Sequence, residues 1–344
     1  MRIVVDAMGG DFAPSAPVQG AILYDRETRG RDQIILVGDQ TAIEAELERY
    51  RYIPPKNITV VHASEVISMD DQPTVAVRQK KDSSMVKGIR LHRDGSADAF
   101  VSAGSTGAQM AASLFILGRV KGVLRPALGA FLPWEEGVTL LIDVGANADC
   151  KPQHLLQFGL MGGIFMEFLN DIPKPKVGLL NIGEEKKKGN ELMVATHEMM
   201  EKHLPSFIGN VEGRDVLNGK ADVIVTDGFT GNVLLKFAES IVGVFGRSLK
   251  IRIKKNLFSM AGAFFMRPAF RAVKRSYDYE EYGGVPLLGI DGISIICHGS
   301  STAKALKNAI HVARIMGEKQ VNKHIEDELS TRGMTWGEKQ LLQA

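Results

Sequence analysis

The chain has 344 residues, 44% hydrophobic and 24% charged, enough apolar material for a substantial buried core. Its formal charge of +2 argues against a globally basic nucleic-acid binder, leaving only local patches, so no nucleic-acid partner is expected. Two cysteines, Cys150 and Cys297, offer neither metal-ligand spacing nor a disulfide framework, and a reducing cytoplasm is the simplest setting.

The start, Met1-Arg2-Ile3-Val4-Val5-Asp6, places a carboxylate after three apolar residues and does not read as a signal peptide. No apolar stretch approaches the roughly 18 to 20 residues that span a bilayer. From there a unit recurs: a short β-branched run, a Gly-containing loop, then an amphipathic helical stretch. Ile3-Val4-Val5 runs into Asp6-Ala7-Met8-Gly9-Gly10-Asp11, and Ile34-Ile35-Leu36-Val37 ends at Gly38-Asp39. Ala99-Phe100-Val101 leads to Ser102-Ala103-Gly104-Ser105-Thr106-Gly107, and Leu140-Leu141-Ile142 to Asp143-Val144-Gly145-Ala146-Asn147. Val177 to Leu180 leads to Asn181-Ile182-Gly183-Glu184-Glu185, and Val223-Ile224-Val225 to Thr226-Asp227-Gly228-Phe229-Thr230-Gly231-Asn232. The last run, Ile293 to Ile296, ends at Cys297-His298-Gly299-Ser300-Ser301.

Strands alternating with helices predict an α/β fold, a mostly parallel sheet with helices on both faces. Ligands of such sheets sit beyond the carboxyl ends of the strands, so all these loops are expected on one edge. Without an internal repeat or a low-complexity linker, residues 1–344 read as a single domain. One segment breaks the rhythm. Across 230–282 no strand is expected, and Val233, Leu234, Phe237, Ile241, Val244 and Phe245 recur at helical spacing. Nine Lys or Arg and no Asp or Glu fall between Arg247 and Arg275, around the apolar run Leu257 to Met266. This predicts a helical hairpin insertion whose stripe packs in a dimer. Its tip, with Leu257, Phe258, Phe264 and Phe265, is expected to touch an anionic membrane surface.

Neither G-x-G-x-x-G nor a Walker A sequence occurs, and His197-Glu198 is not followed by a second His at zincin spacing. What remains are strand–Gly–Ser/Thr–helix junctions, whose small residues and free N–H groups suit an anion. Singly each reads equally as a tight turn with a cap. Ser105, Thr106 and Gly107 form one such junction, and Gly228, Thr230, Gly231 and Asn232 another, with Thr230 a suitable N-cap. Asp6 and Asp11 bracket Gly9-Gly10. Lys188, in a run of three lysines beside Asn190, either is solvated or neutralises phosphate. His298 reads as a core histidine, a cap or an acid–base group.

Together these loops resemble those of the bacterial acyl-ACP:phosphate acyltransferases of phospholipid synthesis, and the resemblance covers essentially the whole chain. It rests on Asp6 to Asp11, Ser102 to Gly107, Asp143 to Asn147, Asn181 to Glu185 with Lys188-Gly189, and Thr226 to Asn232. The resemblance implies acyl transfer from acyl carrier protein to inorganic phosphate, without metal or cofactor. It also implies an isocitrate/isopropylmalate dehydrogenase-like fold, a homodimer, and a cytoplasmic protein loosely associated with the inner face of the cell membrane. A membrane glycerol-3-phosphate acyltransferase would consume the product. On this reading Lys188, Asn232 and His298 are the catalytic candidates. Substrate contacts fall to Asp6, Gly9, Gly10, Asp11, Ser105, Thr106, Gly107, Asp143, Asn147, Asn181, Glu184, Asn190, Asp227, Gly228, Thr230 and Gly231. The rivals are a phosphotransacetylase-like enzyme using acyl-CoA and a non-enzymatic peripheral membrane scaffold.

Overall fold

The computed structural model describes residues 1–51, 57–276 and 279–333, without the side chains of residues 170, 242, 243, 245, 272–276 and 279. Phe245 of the expected stripe therefore lies outside the described side chains, as do residues 277–278 of the expected insertion.

The strands are β1 (Arg2–Asp6), β2 (Gln33–Gly38), β3 (Ile58–His62), β4 (Ala99–Ser102), β5 (Ala127–Trp134) and β6 (Gly137–Ile142). β7 (Val177–Leu180), β8 (Phe207–Val211), β9 (Val223–Val225), β10 (Val285–Leu288) and β11 (Ser294–Ile296) complete them. The helices begin with α1 (Ser15–Thr28), α2 (Gln40–Arg49), α3 (Pro73–Gln79), α4 (Ser84–Arg93), α5 (Thr106–Ile116) and α6 (Pro152–Asn170). They continue with α7 (Glu191–His203), α8 (Gly228–Lys254), α9 (Leu257–Phe265), α10 (Arg267–Ser276), α11 (Ala303–Glu318) and α12 (Val321–Thr331).

The strands form one eleven-stranded sheet in the order β3-β2-β1-β4-β11-β10-β5-β6-β9-β7-β8. Strand periodicity explains the two covered faces. Ile3 and Val5 of β1 join α1, α6 and α11 residues in one buried cluster, while Val4 joins α3, α4 and α5 residues in another. A third cluster continues the second face across β5, β6, β10 and β11, where Leu234 and Leu235 of α8 pack on it.

Seven of the ten strand pairings are parallel, as the alternating pattern predicts. The other three decide where the loops go. β10 runs antiparallel to both β11 and β5, and β5 runs antiparallel to β6. The block β3-β2-β1-β4-β11 and the block β6-β9-β7-β8 therefore point in opposite directions. Their carboxyl ends leave opposite edges of the sheet, so the loops do not share one edge as expected. The antiparallel centre is the reason, because a hairpin between β5 and β6 reverses the chain without a crossover helix.

Among the described residues between β9 and β10 the chain forms three α-helices, α8, α9 and α10, rather than two, followed by a short 3-10 turn at Tyr279–Glu281. The 27 residues of α8 reach roughly 40 Å at 1.5 Å per residue. No residue of α9 is buried. Among the described residues no helix is long and apolar enough to cross a membrane.

Candidate active site

Three loops of the first block are tied together at their bases. The Asp6 carboxylate, at the end of β1, accepts hydrogen bonds from Ser102 Oγ at 2.7 Å and from the Met8 N–H at 3.1 Å. Ser102 Oγ in turn accepts the Gly104 N–H at 2.9 Å. A side chain at Gly9 would meet the Asp6 carboxylate, the Gly104 nitrogen and Ser102 Oγ, all at 2.7 Å, so only glycine fits there. The Asp11 N–H donates to the Gly299 carbonyl at 2.8 Å, bringing in the loop after β11. Gly10, at φ +97°, turns the chain beneath that carbonyl. Burial pushes Asp6 above the usual carboxylate range despite its donors. Ser105 caps α5 by accepting the Ala108 N–H, which leaves Thr106 exposed at the first turn.

The second block builds a comparable base around Asp143, which is fully buried. Its carboxylate accepts the N–H groups of Leu128, Gly145, Ala146 and Asn147 at 3.2, 3.1, 3.0 and 2.7 Å, and the Asn147 amide at 2.8 Å. Burial nevertheless raises its pKa. The Gly228 N–H donates to the Asn147 carbonyl at 2.7 Å, locking the start of α8 onto this loop. Asp227 caps α8, accepting the Thr230 N–H at 2.9 Å and the Thr230 hydroxyl at 2.7 Å. Thr230 is thus inside the helix and is not its cap. The carboxylate one turn earlier wins because its oxygens reach both the Thr230 N–H and its hydroxyl.

A cavity of about 560 Å³ lies over the antiparallel centre of the sheet and brings the two blocks together. Thr106 and His298 reach it from the first block, and Gly145 and Asn232 from the second. Leu128, Ala130, Phe131, Val285, Ile296 and Leu235 are among its apolar lining. His298 is exposed, which removes the core reading, and its Nδ1 accepts the Ser300 N–H at 3.2 Å.

The remaining expected residues separate from this group. Asn181, Asn190, Asp227 and Thr230 line a second cavity of about 640 Å³ with Phe229, Val233 and Phe237. Asn190 caps α7 through the Met193 N–H, and the Asn181 amide donates to the Lys188 carbonyl at 2.9 Å. Glu184 pairs with Lys220 and Lys186 with Glu201. Lys188 is half exposed, 3.9 Å from Glu185, and is among the lining of neither cavity. Asp6, Gly9, Asp143, Asn147, Gly228 and Gly231 shape the loops from beneath. Sequence reasoning missed Phe131, Tyr282 and Lys236 as cavity residues, and no motif or spacing in the sequence signals them. Among the described residues no cluster of three His, Cys, Asp or Glu side chains is placed to hold a metal ion.

The architecture is that of the phosphotransacetylases. A phosphotransacetylase from Streptococcus pyogenes superposes with a TM-score of 0.64 at 16% identity, over 93% of this chain and 94% of that one. A second, from Staphylococcus aureus, gives 0.60 at 15% identity, over 92% of this chain and 94% of that one. Sequence narrows the class further. Residues 1–324 match the family described as "Fatty acid synthesis protein". The "Phosphate acyltransferase" of Pelotomaculum thermopropionicum is 52% identical over 327 residues, 95% of this chain and 94% of that protein. That of Alkaliphilus oremlandii is 46% identical over 334 residues, 97% of this chain and 98% of that protein. The chain belongs to the phosphate acyltransferase family.

Proposed function

We propose that the protein transfers a long-chain acyl group from the thioester of acyl carrier protein to inorganic phosphate, supplying acyl phosphate for glycerophospholipid synthesis. The observation that carries this reading is the first cavity, which sets polar loop residues against an apolar trough. A phosphate oxygen forms a bond to the thioester carbonyl carbon, the carbonyl oxygen takes up negative charge, and the carbon–sulfur bond then breaks. The electron pair leaves on the carrier's thiolate, which takes a proton.

Phosphate is already anionic near neutral pH, so the protein need only hold it, align it and stabilise the oxyanion. The first turn of α5 at Thr106 offers N–H groups and a hydroxyl, and Asn232 offers a neutral amide donor. His298, which lines the same cavity, is assigned proton delivery to the thiolate. Lys188 remains assigned to charge stabilisation on the sequence reading alone.

The test is acyl phosphate formation from acyl-ACP and phosphate, with acyl-CoA run in parallel. Product from acyl-ACP supports the proposal. Product from acyl-CoA alone moves the protein to the donor class that its phosphotransacetylase-like fold favours. Near-normal turnover in a folded Lys188→Ala protein removes that lysine from the mechanism.

The long insertion supports two partners. Phe229, Val233, Phe237, Ile241 and Val244 are all at least half exposed along α8, a face that suits a second copy of this chain. Leu257, Phe258, Phe264 and Phe265 are exposed on α9, and the Arg267 guanidinium sits 4.6 Å from the Phe264 ring centre, the composition of an interfacial anchor. Peripheral attachment to an anionic membrane would bring the product to a membrane acyltransferase.

A further inference from the structure

We infer that the apolar trough of the first cavity is the acyl-chain subsite and that Ala130 sets the chain length it accepts; this rests on the acyl-transfer reading above. Alternation along β5 turns Leu128, Ala130 and Leu132 to one face of the sheet, where they share a buried cluster with Val285 and Ile296. Leu128, Ala130, Val285 and Ile296 all line the cavity, and Leu235 of α8 lines it from the helix side. The buried positions on either side of Ala130 in this row are leucines. Ala130 breaks that pattern in the middle of the row, and its methyl group leaves space that a larger side chain would occupy.

Two further observations fit an alkyl chain. The cavity's volume, about 560 Å³, falls inside the roughly 300–1,000 Å³ of small-molecule sites. Among the described residues, none of the buried side-chain polar atoms left without a hydrogen-bond partner belongs to its lining, and the charged Lys236 and Glu239 that also line it are exposed on α8, away from the strand row. Thr106, Gly145, Asn232 and His298 on the same cavity give the ligand's polar end a separate address.

Bulk added at Ala130 should therefore shorten the preferred acyl chain. The experiment measures kcat/KM for a graded series of acyl-ACP thioesters in the wild type, Ala130→Phe and Leu235→Phe. The readout is the long-chain to short-chain ratio within each protein. A fall of roughly tenfold or more in that ratio is expected for Ala130→Phe, on the scale that one or two methylenes cost in an apolar pocket. Leu235→Phe, entering from the half-buried helix side, should move the ratio the same way and covers the case in which the strand variant does not fold. An unchanged ratio in folded variants, or an equal loss at every length, overturns the assignment while leaving acyl transfer intact. A wild-type protein inactive with every acyl thioester overturns the functional reading and this inference with it.

Discussion

Ser102 Oγ donates a 2.7 Å hydrogen bond to the Asp6 carboxylate, joining the ends of neighbouring strands that lie 96 positions apart. The same oxygen accepts the Gly104 N–H, so one hydroxyl organises both loops. Ser102→Ala leaves a buried carboxylate oxygen and a buried N–H short of a partner. The expected cost is about 1–3 kcal/mol. Thermal unfolding should show a lower Tm, and phosphate KM should rise as the loops loosen.

Gly231 lies where α8 crosses the Asp143 loop. A Cβ there would sit 1.9 Å from the Asp143 carbonyl oxygen, which is backbone and has no room to swing aside. Gly231→Ala should displace the first turn of α8 and Asn232 with it. Turnover is expected to fall by roughly 100-fold or more, the scale of a misplaced catalytic group. Activity close to wild type would show that the helix relocates without consequence.

Cys297 faces the first cavity but is no nucleophile. Burial pushes its thiol up to about 12, so the reactive thiolate is scarce at neutral pH. Cys297→Ala should retain turnover, and iodoacetamide near pH 7 should leave the wild-type enzyme active. Rapid inactivation that the variant escapes would contradict this.

His154 carries a pH dependence. Its Nδ1 accepts the Lys151 N–H at 3.2 Å, and burial together with Arg125 and Lys151 lowers its pKa from 6.5 to about 4. Between those values the unfolded chain binds a proton that the folded chain does not, so stability falls as the pH drops from 6.5 towards 4. Denaturant titrations across this range should show that slope, and His154→Gln should flatten it.

The α9 tip gives a prediction independent of chemistry. Phe264→Asp with Phe265→Asp should reduce co-flotation with anionic liposomes severalfold while preserving turnover on soluble acyl-ACP. Unchanged flotation would assign these rings elsewhere.

Seven strands are legible in the sequence because Val- and Ile-rich runs ending in Gly loops have few other readings. β3, β5, β8 and β10 are not: β3, Ile58–His62, has the β-branched composition but no Gly loop after it, and β5, β8 and β10 lack the composition. Gly129 and Pro133 interrupt β5, Gly209 and Asn210 interrupt β8, and Pro286 stands in β10, so propensity argues against strands that tertiary pairing enforces. Since β5 and β10 carry the reversal of direction, the true placement of the loops was hidden with them. The site was legible as a set of loops rather than as a cavity. Thr106, Asn232 and His298 converge, whereas Asn181, Asn190 and Thr230 belong to a different hollow, because grouping depends on which strands are neighbours. The buried roles of Asp6 and Asp143 were hidden for the same reason: a carboxylate after a strand looks alike whether it faces a ligand or holds a turn.

The position of β11 between β4 and β10 has a bearing on synthesis at the ribosome. The strand that completes the first block, residues 294–296, emerges after the entire second block and the α8 to α10 excursion. A nascent chain can therefore pair β6, β9, β7 and β8 early, while β4 keeps an open edge until β11 has been made. The floor of the cavity, shared among β5, β10 and β11, forms last. Fragments released before that point would hold folded structure and no binding hollow, and their bare β4 edge would be the place where they stick together.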